Sequence, residues 1–269
     1  MDFLIIEPFN ALSFILLFSF LILFVVLSVI ARKKGTEFAS KLLTGLMFVT
    51  IAVYCIYKAL ILYDAEYREI LIANSLQPTS FWKELPLQLC NINMLIIPFA
   101  LITKKKKLLS FSFYIAPIAA FMALVFPAVG FSGFSILTPR IFGFYFTHYM
   151  IIFGSLSIGF FGIKKPDLKD IPEVLVMFFI LSLVIFGVNT ALRASGLAPD
   201  ANYFFEMEPE GIGFLEMLYG FIPCKYFYIY PALTILFAYI LVVIGSYNLY
   251  SKFFGKKVDT KENSAIEIE

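Results

Sequence analysis

Histidine occurs once in this chain, tryptophan once and cysteine three times, and only 15% of the 269 residues are charged. Each scarcity excludes something. Three Cys and one His do not furnish a zinc or iron–sulfur site of ordinary ligand count unless carboxylates or a second chain contribute, so no metal or other cofactor is expected. A net charge of +2 is too small to point to nucleic acid. Soluble domains are about 25% charged and about 45–50% apolar; here 61% of residues are hydrophobic and the mean hydropathy is +0.89. Such an excess cannot be hidden inside a water-soluble fold. Lipid must therefore be the outer solvent, where backbone polar groups are satisfied only within helices or a closed barrel. Glycine-rich phosphate loops, internal repeats and a second soluble domain are missing too.

What is present is a series of apolar runs about 20 residues long, which selects helices over barrel strands of about 10 residues. They cover residues 9–31, 42–63, 84–103, 107–128, 141–163, 171–192 and 226–250. The predicted fold is thus all-α, a bundle of seven transmembrane helices over residues 1–251. Residues 252–269, charged and without an apolar face, are expected to form a solvated, disordered cytoplasmic tail. Asp2 and Glu7 precede the first span, and no Lys or Arg does, so it lacks the basic flank of a cleaved signal and should stay attached.

Charge sets the orientation. Arg32, Lys33, Lys34, Lys41, Lys104 to Lys107, Lys164, Lys165, Lys169, Lys252, Lys256, Lys257 and Lys261 all fall on one side of an alternating seven-span topology. The other side holds Arg68, Lys83, Arg140, Arg193 and Lys225. Lys58 lies inside the second span and is expected to snorkel to the interface. The bias puts the C-terminus in the cytoplasm and the N-terminus outside. Two long outer segments, 64–83 and 193–225, mix acids with aromatic residues and are expected to lie in the membrane interface.

The third span opens with the string LPLQLCNIN, residues 85–93, which brings Gln88, Cys90, Asn91 and Asn93 into an apolar segment. Polar groups in a span are costly unless they face other helices or a wet cavity. His148, in the fifth span, enters from the same side, and both Cys90 and His148 sit on the order of 10 Å below the outer ends of their helices at about 1.5 Å per residue. A thiol beside an imidazole can become a thiolate nucleophile, whereas an isolated buried thiol is inert. Cys55 reads as a small packing residue, and Cys224 as an outer-loop thiol able to pair in an oxidising compartment.

LPLQLCNIN, the single His148, and Asn189 followed by Ala201, Asn202 and Tyr203 together resemble the bacterial YwaF-type membrane proteins. These are related to a eukaryotic transmembrane ether-phospholipid acyltransferase. The resemblance, over about residues 10–250, implies cysteine-dependent acyl transfer between lipids, with Cys90 in the place of the family cysteine. One departure concerns Gln88, where bacterial members often carry His; an amide can bind or orient but cannot act as a base. Any base role here falls to His148.

The expectation is a multi-pass cell-membrane acyltransferase or transacylase in which Cys90 and His148 carry the chemistry and a phospholipid or lysolipid is the partner. Gln88, Asn91, Asn93, Asn189, Asn202 and Tyr203 would line the site. Amides of Gln88, Asn91 or Asn202 would stabilise an oxyanion, and Arg140 would hold a lipid phosphate or anchor the interface. A non-catalytic transporter or lipid-binding protein using the same polar pocket is the alternative, favoured if Pro98, Pro117, Pro127 and Pro231 break their helices.

Overall fold

The computed structural model describes residues 4–254. Nine α-helices occur among them: α1 (Ala11–Lys34), α2 (Thr36–Ile61), α3 (Ala65–Ala73), α4 (Leu89–Thr103), α5 (Lys106–Val125), α6 (Pro139–Phe160), α7 (Asp170–Ala194), α8 (Gly213–Phe221) and α9 (Ala232–Phe254). Two short strands, β1 (Ile5–Ile6) and β2 (Phe134–Ser135), pair antiparallel and tie the N-terminal segment to the loop before α6. The expected tail falls mostly outside the described residues.

Among the described residues six helices are long and apolar enough to cross a membrane: α1, α2, α5, α6, α7 and the segment Phe227–Leu249 that holds most of α9. The expected span at 84–103 is shortened. Pro86 biases Leu85 away from helical geometry, Gln88 is the extended N-cap, and α4 begins only at Leu89 with 15 residues. At 1.5 Å per residue that gives about 22 Å, less than the roughly 30 Å hydrocarbon thickness. Pro98 and Pro117 sit inside α4 and α5, and neither helix is broken there.

Local chemistry sets the helix ends. The side chains of Asn10 and Asp64 accept from Ser13 N and Tyr67 N, each at 2.9 Å, capping α1 and α3. Gly35, at φ +89°, turns α1 into α2 in a single residue. Lys104, left-handed at φ 54°, ends α4 just before α5 begins.

Helices α2, α4, α5 and α6 pack around one another, with α6 innermost: 78% of its most apolar window is buried, against 6% for α1. Small residues permit the approach. A Cβ at Gly143 or Gly154 would collide with Tyr57 or Met47 of α2, and one at Gly159 with Phe113 of α5, the close contact typical of helices packed in lipid. Helix α2 answers with a buried stripe at three- and four-residue spacing, Leu43, Met47, Thr50, Tyr54, Tyr57 and Ile61. Its other face is exposed and carries Phe48, Val49 and Ile56. Cys55 belongs to that outward face and not, as expected, to the packed interior.

The two long connecting segments, 64–83 and 193–225, are structured. The first contains α3. The second holds α8 and a segment that descends along α7: Asn189 grips the backbone of Tyr203, accepting from its N and donating to its O at 2.9 Å each. Ser182, seven residues further into α7, donates to Glu206 at 2.7 Å. Seven residues of helix amount to about 10 Å, so non-helical backbone reaches the level of the middle of α7. It is tolerated there because it is buried in protein: Ala201, Asn202, Tyr203, Glu206 and Met207 are all buried.

Candidate functional site

Cys90 is the second residue of α4, and its thiol is free and 8% exposed. Sγ donates to Asn91 Oδ1 at 3.7 Å. The first turn of a helix offers N–H groups without intrahelical partners. Cys224 is exposed and free, so the thiol pairing that would occupy Cys90 is not formed.

Facing this turn is the buried stripe of α2. Lys58 does not snorkel outward: its ammonium pairs with Glu84, just upstream of α4, and the two side chains are only 19% and 12% exposed. Nζ also lies 5.8 Å and 5.4 Å from the ring centres of Tyr54 and Tyr57, close enough for cation–π attraction. The Lys58 charge is within electrostatic reach of both Cys90 and His148, and both tyrosines are within reach of Cys90. The isolated cation of the apolar span thus lies at the centre of a polar cluster that sequence reasoning missed. Its signal was the four-residue spacing that puts Tyr54 and Lys58 on one helix face.

His148 is 4% exposed on α6, with Nδ1 2.7 Å from Phe144 O and its ring 4.3 Å from that of Phe144. A carbonyl only accepts, so Nδ1 carries the proton and Nε2 presents a lone pair. The contacts of Gly143 with Tyr57 and of Gly154 with Met47 fix the antiparallel register of α6 on α2. His148 is five residues inward of Gly143 and Tyr54 three inward of Tyr57, so the two differ in depth by only about 3 Å. Cys90 and His148 are not hydrogen-bonded to each other; each uses its own neighbour, Asn91 or Phe144.

The amides mostly organise the descending segment. Gln88 Oε1 accepts from Phe204 N at 3.0 Å, joining that segment to the start of α4. Asn202 accepts from Met207 N and Glu208 N and spends Nδ2 on Glu208 O and Glu210 Oε1. Both amide protons are thus used, which removes it from the expected oxyanion donors. The Tyr203 hydroxyl donates to Trp82 O. Asn93 donates to Leu89 O at 2.9 Å, while its Oδ1 is buried without a partner.

Arg140 is neither at an open mouth nor free for phosphate. It is 1% exposed, donates to Gly130 O, Asp64 and Glu66, and stacks on Tyr67 and Phe134. Two carboxylates neutralise it, and its work is to clamp α3 to the top of α6. Glu206 was not singled out in the sequence. Its second carboxyl oxygen is buried and unpartnered, and burial pushes the group up to about 8. Burial raises Glu210 as well. Among the described residues no group of three or more His, Cys, Asp or Glu is placed to hold a metal ion.

Comparison with known proteins adds one result. The model of the TMEM164 family matches residues 6–245, nearly the whole chain, and the protein belongs to that family of transmembrane proteins. No curated protein and no solved structure matches it.

Proposed function

We propose that this TMEM164-family chain is a cysteine-dependent lipid acyltransferase of the cell membrane, in the line of the YwaF-type proteins and the ether-phospholipid acyltransferase it resembles. Helix α4, together with its non-helical entry at residues 84–88, is taken as the seventh crossing, with the N-terminus outside and the C-terminus cytoplasmic as the lysine and arginine distribution requires. The observation that carries the function is the setting of Cys90: a free, buried thiol in a helix first turn, sharing the field of one ammonium with the imidazole of His148.

In the first half-reaction His148 Nε2 takes the Sγ proton, and the thiolate attacks the carbonyl carbon of a phospholipid ester. The tetrahedral oxyanion collapses, the C–O bond breaks, and the departing lysolipid oxygen takes the proton from the imidazolium. In the second, the hydroxyl of an acceptor lysolipid gives its proton to His148 and attacks the thioester. The C–S bond breaks, and the thiolate recovers its proton. Sγ and Nε2 must come within direct or single-water reach in the lipid-bound state, as catalytic hydrogen bonds that are long in the empty site do on binding.

The test is acyl transfer between phospholipid and lysolipid in vesicles, combined with lipid profiles of a deletion strain carrying each gene. Cys90→Ala and His148→Ala each abolish transfer while folded protein remains in the membrane, and the double variant is scarcely worse than either single one. Wild-type protein accumulates a long-chain thioester on Cys90 that neutral hydroxylamine cleaves. Full activity in Cys90→Ala refutes the mechanism and leaves the polar pocket as a binding or transport site.

A further inference from the structure

Tyr54 carries a hydroxyl that nothing in the fold uses. Its side chain is 4% exposed, and among the described residues Oη has no hydrogen-bond partner. An unpaired buried hydroxyl is destabilising, and phenylalanine would fill the same place in the α2 stripe without that cost. The ring is held from two sides, edge-on to Tyr57 at 5.3 Å between centroids and with Lys58 Nζ 5.8 Å from its centre. It is buried in the same packed cluster as Cys90, and its level differs from that of His148 by about 3 Å of helix rise.

We infer that Tyr54 is a further catalytic residue, whose O–H donates to the oxyanion formed when the Cys90 thiolate adds to the acyl carbonyl. This assignment rests on Cys90 acting as nucleophile. Of the amides that the sequence offers for the role, Asn202 has spent both protons elsewhere; Gln88 and Asn91 stand at the start of α4, and Tyr54 adds a donor from the α2 side. A preorganised, water-excluded O–H aimed at where charge develops is the kind of group that stabilises a tetrahedral intermediate, because it need not be reoriented during reaction. The same hydroxyl serves both half-reactions, since the oxyanion forms on the same carbonyl carbon beside Sγ when the lipid ester is attacked and again when the thioester is attacked. No proton leaves Tyr54 in either step. The neighbouring Lys58 ammonium adds positive potential on that side, while its pairing with Glu84 keeps it from needing a ligand of its own.

The experiment uses full-length protein in phosphatidylcholine nanodiscs and two donors, a phosphatidylcholine with a labelled acyl chain and palmitoyl 4-nitrophenyl ester. Formation of the hydroxylamine-sensitive thioester at Cys90 is followed in single turnover for wild type, Tyr54→Phe and Cys90→Ala. Tyr54→Phe is expected to slow acylation about 100-fold or more, with the dependence on donor concentration unchanged and with maleimide alkylation of Cys90 at the wild-type rate. Those two readouts would shift if the hydroxyl merely supported packing. Acylation of Tyr54→Phe at the wild-type rate overturns the inference while leaving Cys90 as nucleophile. Absence of a Cys90 thioester in wild type with both donors overturns the nucleophile and the inference together.

Discussion

Neutralising Glu84 tests whether Lys58 is a buried member of the site or an interfacial anchor. Glu84→Gln leaves the Lys58 ammonium, 19% exposed in the native pair, with the faces of two aromatic rings and no counter-charge. Breaking a buried pair by removing one partner costs about 3–5 kcal/mol, whereas replacing both members by apolar residues is often neutral or stabilising. An exposed pair is worth only about 0–1 kcal/mol. For a chain of this size each kcal/mol moves the unfolding midpoint by about 2–4 °C, so Glu84→Gln should lower it by about 10 °C. The double variant Lys58→Met/Glu84→Met should lie within a few degrees of wild type. Fluorescence-detected size exclusion after heating, in mild detergent, reads these midpoints. Unchanged midpoints in both single variants, Lys58→Met and Glu84→Gln, would refute the buried pair and return Lys58 to the interface.

Three further outcomes follow from the same structure. A reporter fused after Lys257 should read cytoplasmic and one inserted near Asp200 external, and the opposite result at either position would undo the orientation. Gly143→Ala should destabilise by about 1–3 kcal/mol, because its methyl group meets the Tyr57 ring at the α2–α6 contact; an unchanged midpoint in the same heating assay would deny that contact. Glu206 should make attachment of the descending segment pH-dependent. Burial pushes its carboxyl up from the ordinary carboxylate range to about 8, so the native state holds the proton more tightly and stability falls as pH rises from that range to about 8. Hydrogen-exchange protection at residues 203–207, taken relative to the intrinsic exchange rate at each pH, should fall across that window in wild type and stay constant in Glu206→Gln; identical protection profiles would show that Glu206 is not the group responsible.

Much of the bundle was legible because lipid imposes a simple rule: long apolar runs become helices. The rule failed where polar chemistry interrupted it. A window of apolar residues at 84–103 reads as one span, yet Pro86 and the capping role of Gln88 delay α4 to Leu89. The outer segment at 193–225 gave no hint of depth, because its descent depends on the Asn189 and Ser182 contacts of α7, which a linear reading cannot connect to Tyr203 and Glu206.

The site shows the same division, and it explains which residues were found. Cys90, Asn91 and Asn93 stand out because their polarity is foreign to a span, but polarity alone does not say which groups are occupied. Arg140 and Asn202 looked available for a ligand and are consumed by the fold, each bonded through several donors to groups far away in the chain or within its own loop. Lys58 and Tyr54 looked ordinary, one as an interfacial cation and the other as one of 15 tyrosines; Tyr54 is packed in the buried cluster that holds Cys90, and the Lys58 ammonium lies over its ring. What separates Tyr54 from Arg140 and Asn202 is satisfaction of hydrogen-bonding capacity. In lipid an unsatisfied polar atom is costlier than in water-exposed protein, so a buried group left unpaired, such as the Tyr54 hydroxyl, marks the place where an incoming ester carbonyl can supply the missing acceptor.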